Sequence, residues 1–511
     1  YFVDQNMAER YSLPIVSINA DPDYFFDYDQ GIYVMGRVND EQDGQAGNLA
    51  ANYLQCGGQW ERPMHIEFFD PSGQRFLGQD GGVRIHGTTT RTYPQKSLRL
   101  YANNLYSQMD YLDYELFSGL HDSVRNDPIM EFKTLLLRNS GNNWDAPMFR
   151  DNLLQALVSH TTLDTHSYRP VIVFLNGEYW GIYNLRENLD AYFLATHYQI
   201  DPNQIVILER NGQLNSGEPG DEAHYKSLLD YIGSHDINDP KHYSYVSTQM
   251  DIDNFIDYQI SEIYAANKNW PHDNIKFWRY KTDAYQPDAP YGQDGRWRWL
   301  LFDLDTGFGY HPATSFQDDT LLRATGDFLI RSLLWNSEFR TQFINRFADH
   351  LNTSFTPQRV IGIIDAMQAA IDPEMPEHMH RWSVMGGSMY VWDNNVDLMR
   401  TFVSQRPDYV RLHILDCFDL TGTDIITLLT DSTKGHIRIN SIDITLDTPG
   451  VMDADKWSGT YFEGIPISLS AIPKPGYQFA GWEGIDQSDP DVSLILSENL
   501  RLTANFIPAE K

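Results

Sequence analysis

The chain changes pattern near residue 425, and this limits the possible folds more than any other feature. From Phe328 to Leu351, Pro357 to Ile371 and Val391 to Ser404, apolar residues recur at helical spacing. From Gly435 to Ile507 that spacing is gone. Short β runs, His436 to Asn440, Pro466 to Ala471 and Arg501 to Phe506, are separated by Pro and Gly. The chain therefore reads as a body of residues 1–425 followed by a small β module of residues 430–508, with the boundary between Leu420 and Lys434.

Within the body, the first ~125 residues read as β-rich and irregular, with runs such as Pro14 to Ile18, His65 to Phe69 and Gly82 to His86 between Gly and Asp clusters. Asn39 to Asn48 reads as a solvated loop; it has the acidity of a calcium loop without EF-hand spacing. Lys133 to Arg138 reads as a buried strand and Arg150 to Leu163 as a helix. Asn176-Gly177 between two apolar runs marks a hairpin, because both central residues need positive φ. A helix over Ile252–Ala266 follows, with Asp251 as its N-cap, then strands Ile275–Tyr280 and Arg296–Phe302.

There are 38 basic and 70 acidic residues, a formal net charge of −32. That excludes a phosphate-backbone binder and argues against docking on anionic lipid. No apolar run approaches ~18 residues, so no membrane span is visible. Two cysteines, Cys56 and Cys417, cannot make a disulfide framework or a thiolate zinc site; one bridge between them stays open. A start at Tyr1 points to a removed upstream segment, such as a secretion signal.

Phosphate-loop, dinucleotide, nucleophile-elbow and zinc-helix motifs are absent. His378 and His380 beside Glu374 and Glu377 suit a metal less well than a polar helix end. Three stretches carry more. In Asp303-Leu-Asp-Thr-Gly-Phe-Gly309, two carboxylates follow an aromatic strand and precede two glycines, an arrangement that suits Mg²⁺. Asn269-Trp-Pro-His-Asp-Asn274 is a loop with Asp and Asn about thirty residues earlier, as in protein-kinase catalytic loops. Arg91 to Ser97 places Lys96 at the start of a strand with Leu98 and Leu100 on one face, where it could neutralise phosphate.

The sequence resembles the spore coat protein H (CotH) kinase family. The matching words are Gly82 to Gly87, Arg91 to Ser97, Leu136 to Asp145, Arg150-Asp151, Leu175 to Tyr183 with Glu187, Ile275 to Arg279 and Trp297 to Gly309, within a span of roughly Leu13 to Asp416. The tail, through Gly464 to Ala471, Pro475 to Trp482 and Leu502 to Phe506, is similar to the internalin B-repeat type of bacterial surface module, with its aromatics, Trp482 included, in the core.

The resemblance implies an α+β, atypical protein-kinase-like fold, with a β-rich N-terminal part, a helical C-terminal part and then the small all-β module. It implies a secreted or cell-surface bacterial kinase that uses ATP with Mg²⁺ or Mn²⁺ on a protein substrate. Lys96 and Arg91 would contact the nucleotide, Glu187 would orient the lysine, Asp303 and Asn274 would hold the metal, and Asp273 or Asp305 would orient the acceptor hydroxyl. One departure stands out: where the family reads Asp in its catalytic loop, this chain has Asn269. An amide cannot take the hydroxyl proton. The alternative is therefore a degenerate kinase-like adhesion or scaffold protein. A carbohydrate-handling surface, with Trp144 and Trp180 as platforms, is the third reading; core packing of both rings is preferred to it.

Overall fold

The computed structural model describes residues 10–42 and 50–509. Its β-rich N-terminal part closes on itself. Strands β1 (Ile15–Asn19), β2 (Arg62–Phe69), β3 (Arg75–His86), β4 (Ser97–Tyr101), β7 (Thr134–Arg138), β8 (Tyr168–Leu175) and β9 (Glu178–Glu187) form a barrel of order β1-β2-β3-β4-β7-β9-β8. A ribbon of β5 (Leu112–Asp113) and β6 (Glu131–Phe132) lies outside it. Closure is made by parallel pairing of β1 with β8, Ile15 opposite Ile172 through Ile18 opposite Leu175. Alternation fills the barrel: Val83, Ile85, Leu98, Leu100, Leu135, Leu137, Tyr183 and Leu185 share one buried cluster.

The expected hairpin joins β8 to β9, with Asn176 at φ 51° and Gly177 at φ 81°, the primed-turn conformation. Short helices α1 (Pro22–Phe26) and α2 (Gly36–Gln42) sit near the barrel's start. The acidic stretch from Asn39 thus begins inside α2, and residues 43–48 lie outside the described residues. After β7 comes α3 (Arg150–Val158), shorter than the sequence predicts.

Past the barrel come α4 (Ala191–Tyr198) and a sheet of order β11-β10-β12-β13: β10 (Ile205–Glu209), β11 (Gln213–Ser216), β12 (Lys276–Tyr280) and β13 (Arg298–Leu300). Helices α5 (Ala223–Ser234), α6 (Pro240–Gln249) and α7 (Ile252–Ala265) are inserted between β11 and β12. Asp251 caps α7 by accepting from Asn254 N, as the sequence indicates. Then follow α8 (Thr320–Ala324), α9 (Phe328–Trp335), α10 (Ser337–Asn352), α11 (Pro357–Ile371), α12 (Met375–Trp382) and α13 (Met389–Cys417). The helix expected over Phe328–Leu351 is split at Asn336, whose side chain leaves the first helix and caps the second through Phe339 N. The one expected over Val391–Ser404 is the middle of α13, which continues past Pro407.

In α12, His378 is buried with Nδ1 accepting from Ile182 N, and Glu374 and Glu377 are spent on Ser12 and Arg10. Gly181 makes room for this helix: a Cβ there would stand 2.8 Å from His378 Nδ1 and from Trp382 Nε1. Trp180 is buried and Trp144 half-buried, so neither is an open platform. Cys56 and Cys417 are both free.

The all-β tail has two sheets, β17-β14-β21-β19 and β16-β15-β18-β20. Its strands are β14 (Thr423–Thr430), β15 (Gly435–Ile439), β16 (Ile442–Asp443), β17 (Lys456–Phe462), β18 (Pro466–Pro473), β19 (Tyr477–Glu483), β20 (Asp491–Ile495) and β21 (Leu500–Pro508). Strand β14 runs antiparallel to β17 and parallel to β21, from Ile426 opposite Leu500 to Thr430 opposite Ala504. Trp482 is buried between the sheets, its Nε1 donating to Asp489 O.

The tail is fastened to α10. Asp349 accepts from Tyr461 Oη (2.8 Å), Asn440 Nδ2 (3.2 Å), Ser441 N (3.1 Å) and Ser441 Oγ (2.6 Å). Asn352 exchanges a pair of hydrogen bonds with the Thr460 backbone. On the same helix, Arg346 and His350 clasp Asp257 of α7. Asp349→Ala strands four donors in a dry contact and is expected to cost about 3 kcal/mol. Chemical denaturation of the tail's unfolding transition would register that loss; an unchanged midpoint would show the contact to be energetically idle.

Candidate functional site

Strand β13 delivers the acidic loop. Trp297, Trp299 and Leu301 are buried and anchor it, and the backbone then turns sharply, with Asp303 at φ 59°. A non-glycine residue held there is strained, and such strain gathers at functional sites. The loop 303–309 is gripped from three sides. Asp151, in the first turn of α3, accepts from Leu304 N (2.8 Å). Asn267, after α7, accepts from Thr306 Oγ1 (2.6 Å), and Ala265 O accepts from Phe308 N (2.9 Å). Asn143 Nδ2 donates to Asp305 O (2.5 Å).

The third grip comes from the barrel. Alternation puts Leu135 and Leu137 inside and turns Arg138 outward from the end of β7. Its guanidinium pairs with both Asp303 and Asp305, and stands 3.9 Å from Asp151. Burial would lower the Arg138 pKa, but these three carboxylates raise it well above its ordinary value. Burial and the charge of Asp303 push the Asp305 carboxyl up to about 7 against the pull of Arg138. Asp305 also accepts from Asn142 N (2.8 Å) and Nδ2 (3.1 Å). Gly141 permits this approach: it has φ 60°, and a Cβ would fall 2.2 Å from Asp305 Oδ2. Buried Asn139 ties this turn to β4, donating to Gln95 O and accepting from Ser97 Oγ and Gly141 N.

The same outer barrel face carries paired cations, Arg99 with Asp190 and Arg138 with the acidic loop. Burial, then the charges of Arg99, Arg138, Arg91 and Lys276, hold the His86 imidazole down at about 3, so it stays neutral. Lys276 is itself paired with Glu209. Asn274, at φ 60°, donates from Nδ2 to Asp303 O (3.0 Å) and so adjoins the acidic loop. Asp303 Oδ2 and Asn274 Oδ1 accept no hydrogen bond among the described residues. Both are hard oxygens of the kind that Mg²⁺ or Mn²⁺ takes. Among the described residues no group of three or more His, Cys, Asp or Glu could hold a metal. An ion here would therefore rest on one carboxylate, one amide oxygen, and ligands brought by phosphate and water, a common arrangement for Mg²⁺.

The structure brings Asp303, Asp305 and Asn274 together. It does not join Lys96 to Glu187. Lys96 shares the inward parity of Leu98 and Leu100; its Nζ donates to Arg91 O (2.8 Å) and Tyr93 O (2.9 Å) and lies 4.0 Å from the centre of the Tyr53 ring. Burial pushes its pKa down to about 8. Arg91 is turned to the carbonyls of Gly87 and Gln55. Asp273 is exposed and paired with Arg210 Nε (2.8 Å), and Asn269 is exposed.

Glu187 accepts from Ser167 N and pairs with His197 Nε2 at 2.8 Å. Burial opposes both charges. The pair overcomes it, leaving Glu187 below and His197 above their ordinary values. The depressed Glu187 stabilises above its unfolded pKa and loses this as pH falls through its folded value. The raised His197 stabilises below its unfolded pKa, about 6.5, and loses this as pH rises through its folded value. The stability gap between wild type and His197→Gln is therefore expected to be widest near pH 5–6.5. It should narrow as pH rises above that window, as denaturation midpoints taken across the range would read out.

Residues 83–410 match the family profile described as CotH kinase protein, more than half of the chain. The chain belongs to the CotH kinase protein family. Residues 442–510 match the profile described as divergent InlB B-repeat domain. No curated protein matches the chain. In this CotH kinase family member the matched span holds the outer barrel face, the acidic loop and the Asn274 loop. The sequence reading gave no role to Arg138, Asn142 or Asn143, although a Leu-Leu-Leu strand breaking into Arg-Asn-Ser-Gly-Asn-Asn was visible.

Proposed function

We propose that the chain is a secreted or cell-surface bacterial protein kinase, protein-kinase-like in fold, which transfers phosphate from ATP to protein hydroxyls with Mg²⁺ or Mn²⁺. One observation carries the reading: Asp303, on a strained turn, and its neighbour Asp305 share the Arg138 guanidinium of the barrel wall, with Asn274 bonded to the same loop. Family membership supports ATP-using, kinase-like chemistry. The B-repeat match is compatible with a surface setting, as is the finding that no helix among the described residues is long and apolar enough to cross a membrane.

Phosphoryl transfer asks chiefly for positioning and charge neutralisation. Asp303 and Asn274 would hold the metal, which when bound neutralises charge on the phosphates. Arg138 stands at the acidic loop, while Arg99 and Lys276 are paired with Asp190 and Glu209, so the metal would carry most of the charge neutralisation. Lys96 would reach phosphate only by giving up its carbonyl partners. Asp305 is nearly inaccessible and serves to fix the loop, so Asp273 is the exposed carboxylate left to orient an acceptor hydroxyl.

The exposed amide of Asn269 favours a second reading, a kinase-like scaffold without transfer. Asn269→Asp separates the two. In an otherwise complete site, restoring a general base is expected to raise transfer about a hundredfold. Transfer from labelled ATP that stays at background in both proteins, with no calorimetric binding of ATP and Mn²⁺, would leave the scaffold reading.

A further inference from the structure

Strand β12 carries a second cation-lined place, at the end away from the acidic loop. Alternation turns Phe277 and Arg279 to the face that Tyr225 of α5 covers. Arg279 lies three residues past Lys276, about 10 Å along the strand. There it lines an open pocket of about 580 Å³ with Gln204, Asp221, His224, Lys281 and Asp283. The residue is only 6% exposed, yet no carboxylate pairs with it among the described residues. Its Nη2 donates to Thr282 O (3.1 Å), and the guanidinium stands 5.9 Å from the centre of the Trp297 ring. Nε is sealed in without a partner. Nη1 also lacks a protein acceptor but is not sealed, and it is the end open to the pocket. Burial lowers the Arg279 pKa to about 10 against the pull of Asp221. A buried charge with no counter-charge is costly, and an anion in the pocket would supply one.

Further donors surround the same space. Trp297 Nε1 donates to His224 Nδ1 (3.0 Å), so the neutral ring carries its proton on Nε2, which has no partner among the described residues. The start of α5 lies at this wall, and no side chain caps it. The two carboxylates at the pocket do not serve Arg279: Asp221 accepts from Glu218 N (2.7 Å) and pairs with Lys281 Nζ (3.2 Å), and Asp283 is exposed. A planar carboxylate is best met by a parallel fork of two N–H groups. Arg279 offers none, since Nη2 is taken and Nε is sealed. Single donors from a strand, a ring and a helix start suit a tetrahedral anion instead. We propose that this pocket is an oxyanion subsite that takes a phosphate group, free or as a monoester, held by Arg279 Nη1 and His224 Nε2 at the start of α5. It needs neither ATP nor metal, so it stands or falls apart from the kinase reading.

The test uses the full chain in EDTA, so that no divalent ion carries phosphate to Asp303. Calorimetry is expected to show saturable binding of inorganic phosphate, and the melting temperature should rise with phosphate concentration. Arg279→Met keeps the stem against Trp297 and removes the unpaired charge. Without phosphate it should melt at the wild-type temperature or higher, and its phosphate affinity should fall about thirtyfold. Lys281→Glu, at the rim, should weaken binding too and guards against a folding defect in the first variant. Acetate should bind far more weakly than phosphate. No phosphate binding, equal binding by Arg279→Met, or acetate as tight as phosphate overturns the site. A phosphoserine peptide and its serine twin separate the sources. Arg279-dependent binding of the phosphopeptide assigns the site to protein-borne esters, and binding of inorganic phosphate alone assigns it to the free ion.

Discussion

If the chain transfers phosphate as proposed, Asp303→Asn is expected to lower transfer from ATP about a thousandfold, since it removes the carboxylate proposed to hold the metal, where several kcal/mol of charge stabilisation would be delivered. The structural cost should be small, about 1 kcal/mol. The side chain is 28% exposed, asparagine keeps its shape, and Arg138 retains Asp305 and Asp151. Labelling by radioactive ATP measures the first effect, and thermal denaturation shows whether the variant remains folded. Calorimetry adds a third reading: Mn²⁺-dependent ATP binding should weaken in step. Labelling that survives the substitution would strip Asp303 of its role.

Arg138→Met should act chiefly on stability. It removes the one guanidinium shared by Asp303, Asp305 and Asp151 and leaves buried like charges facing each other. Breaking such a group from one side costs about 3–5 kcal/mol. Protonation relieves the repulsion, so the loss should be largest near pH 8 and shrink toward pH 5, the direction set by a carboxyl already pushed up to about 7 in Asp305. Adding Asp305→Asn should return part of the stability, a coupling that a double-mutant cycle measures directly. A pH-independent loss with no recovery in the double variant would show that Arg138 works by packing alone.

Local rules carried much of the fold. The Asn176-Gly177 hairpin and the Asp251 cap on α7 each rest on neighbouring residues and stand where the sequence puts them, and the aromatic strand expected over Arg296–Phe302 is present but shortened to Arg298–Leu300. The misses are non-local. Barrel closure pairs β1 with β8 across about 150 residues, and nothing in Ile15–Asn19 names its partner. Arg138 meets Asp303 and Asp305 across 165 and 167 positions. Lys96 is instructive because its alternation with Leu98 and Leu100 was readable. Which face turned inward was not, until the barrel closed and took the leucines with it. Asn336 ended a helix that apolar spacing would have continued, because its side chain competes for the next helix's amides.

The parallel pairing of β14 with β21 has a mechanical consequence. These are the first and last strands of the tail, and one joins the body through α13 while the other leads out at Pro508. Tension between the body and the outgoing end would pull the two strands along their length in opposite directions. The hydrogen bonds from Ile426–Thr430 to Leu500–Ala504 then share the load in shear and must fail together, rather than opening one by one as in a peeled hairpin. Asp349 and Asn352 grip the same tail from α10, so a pull along β21 would also load these contacts.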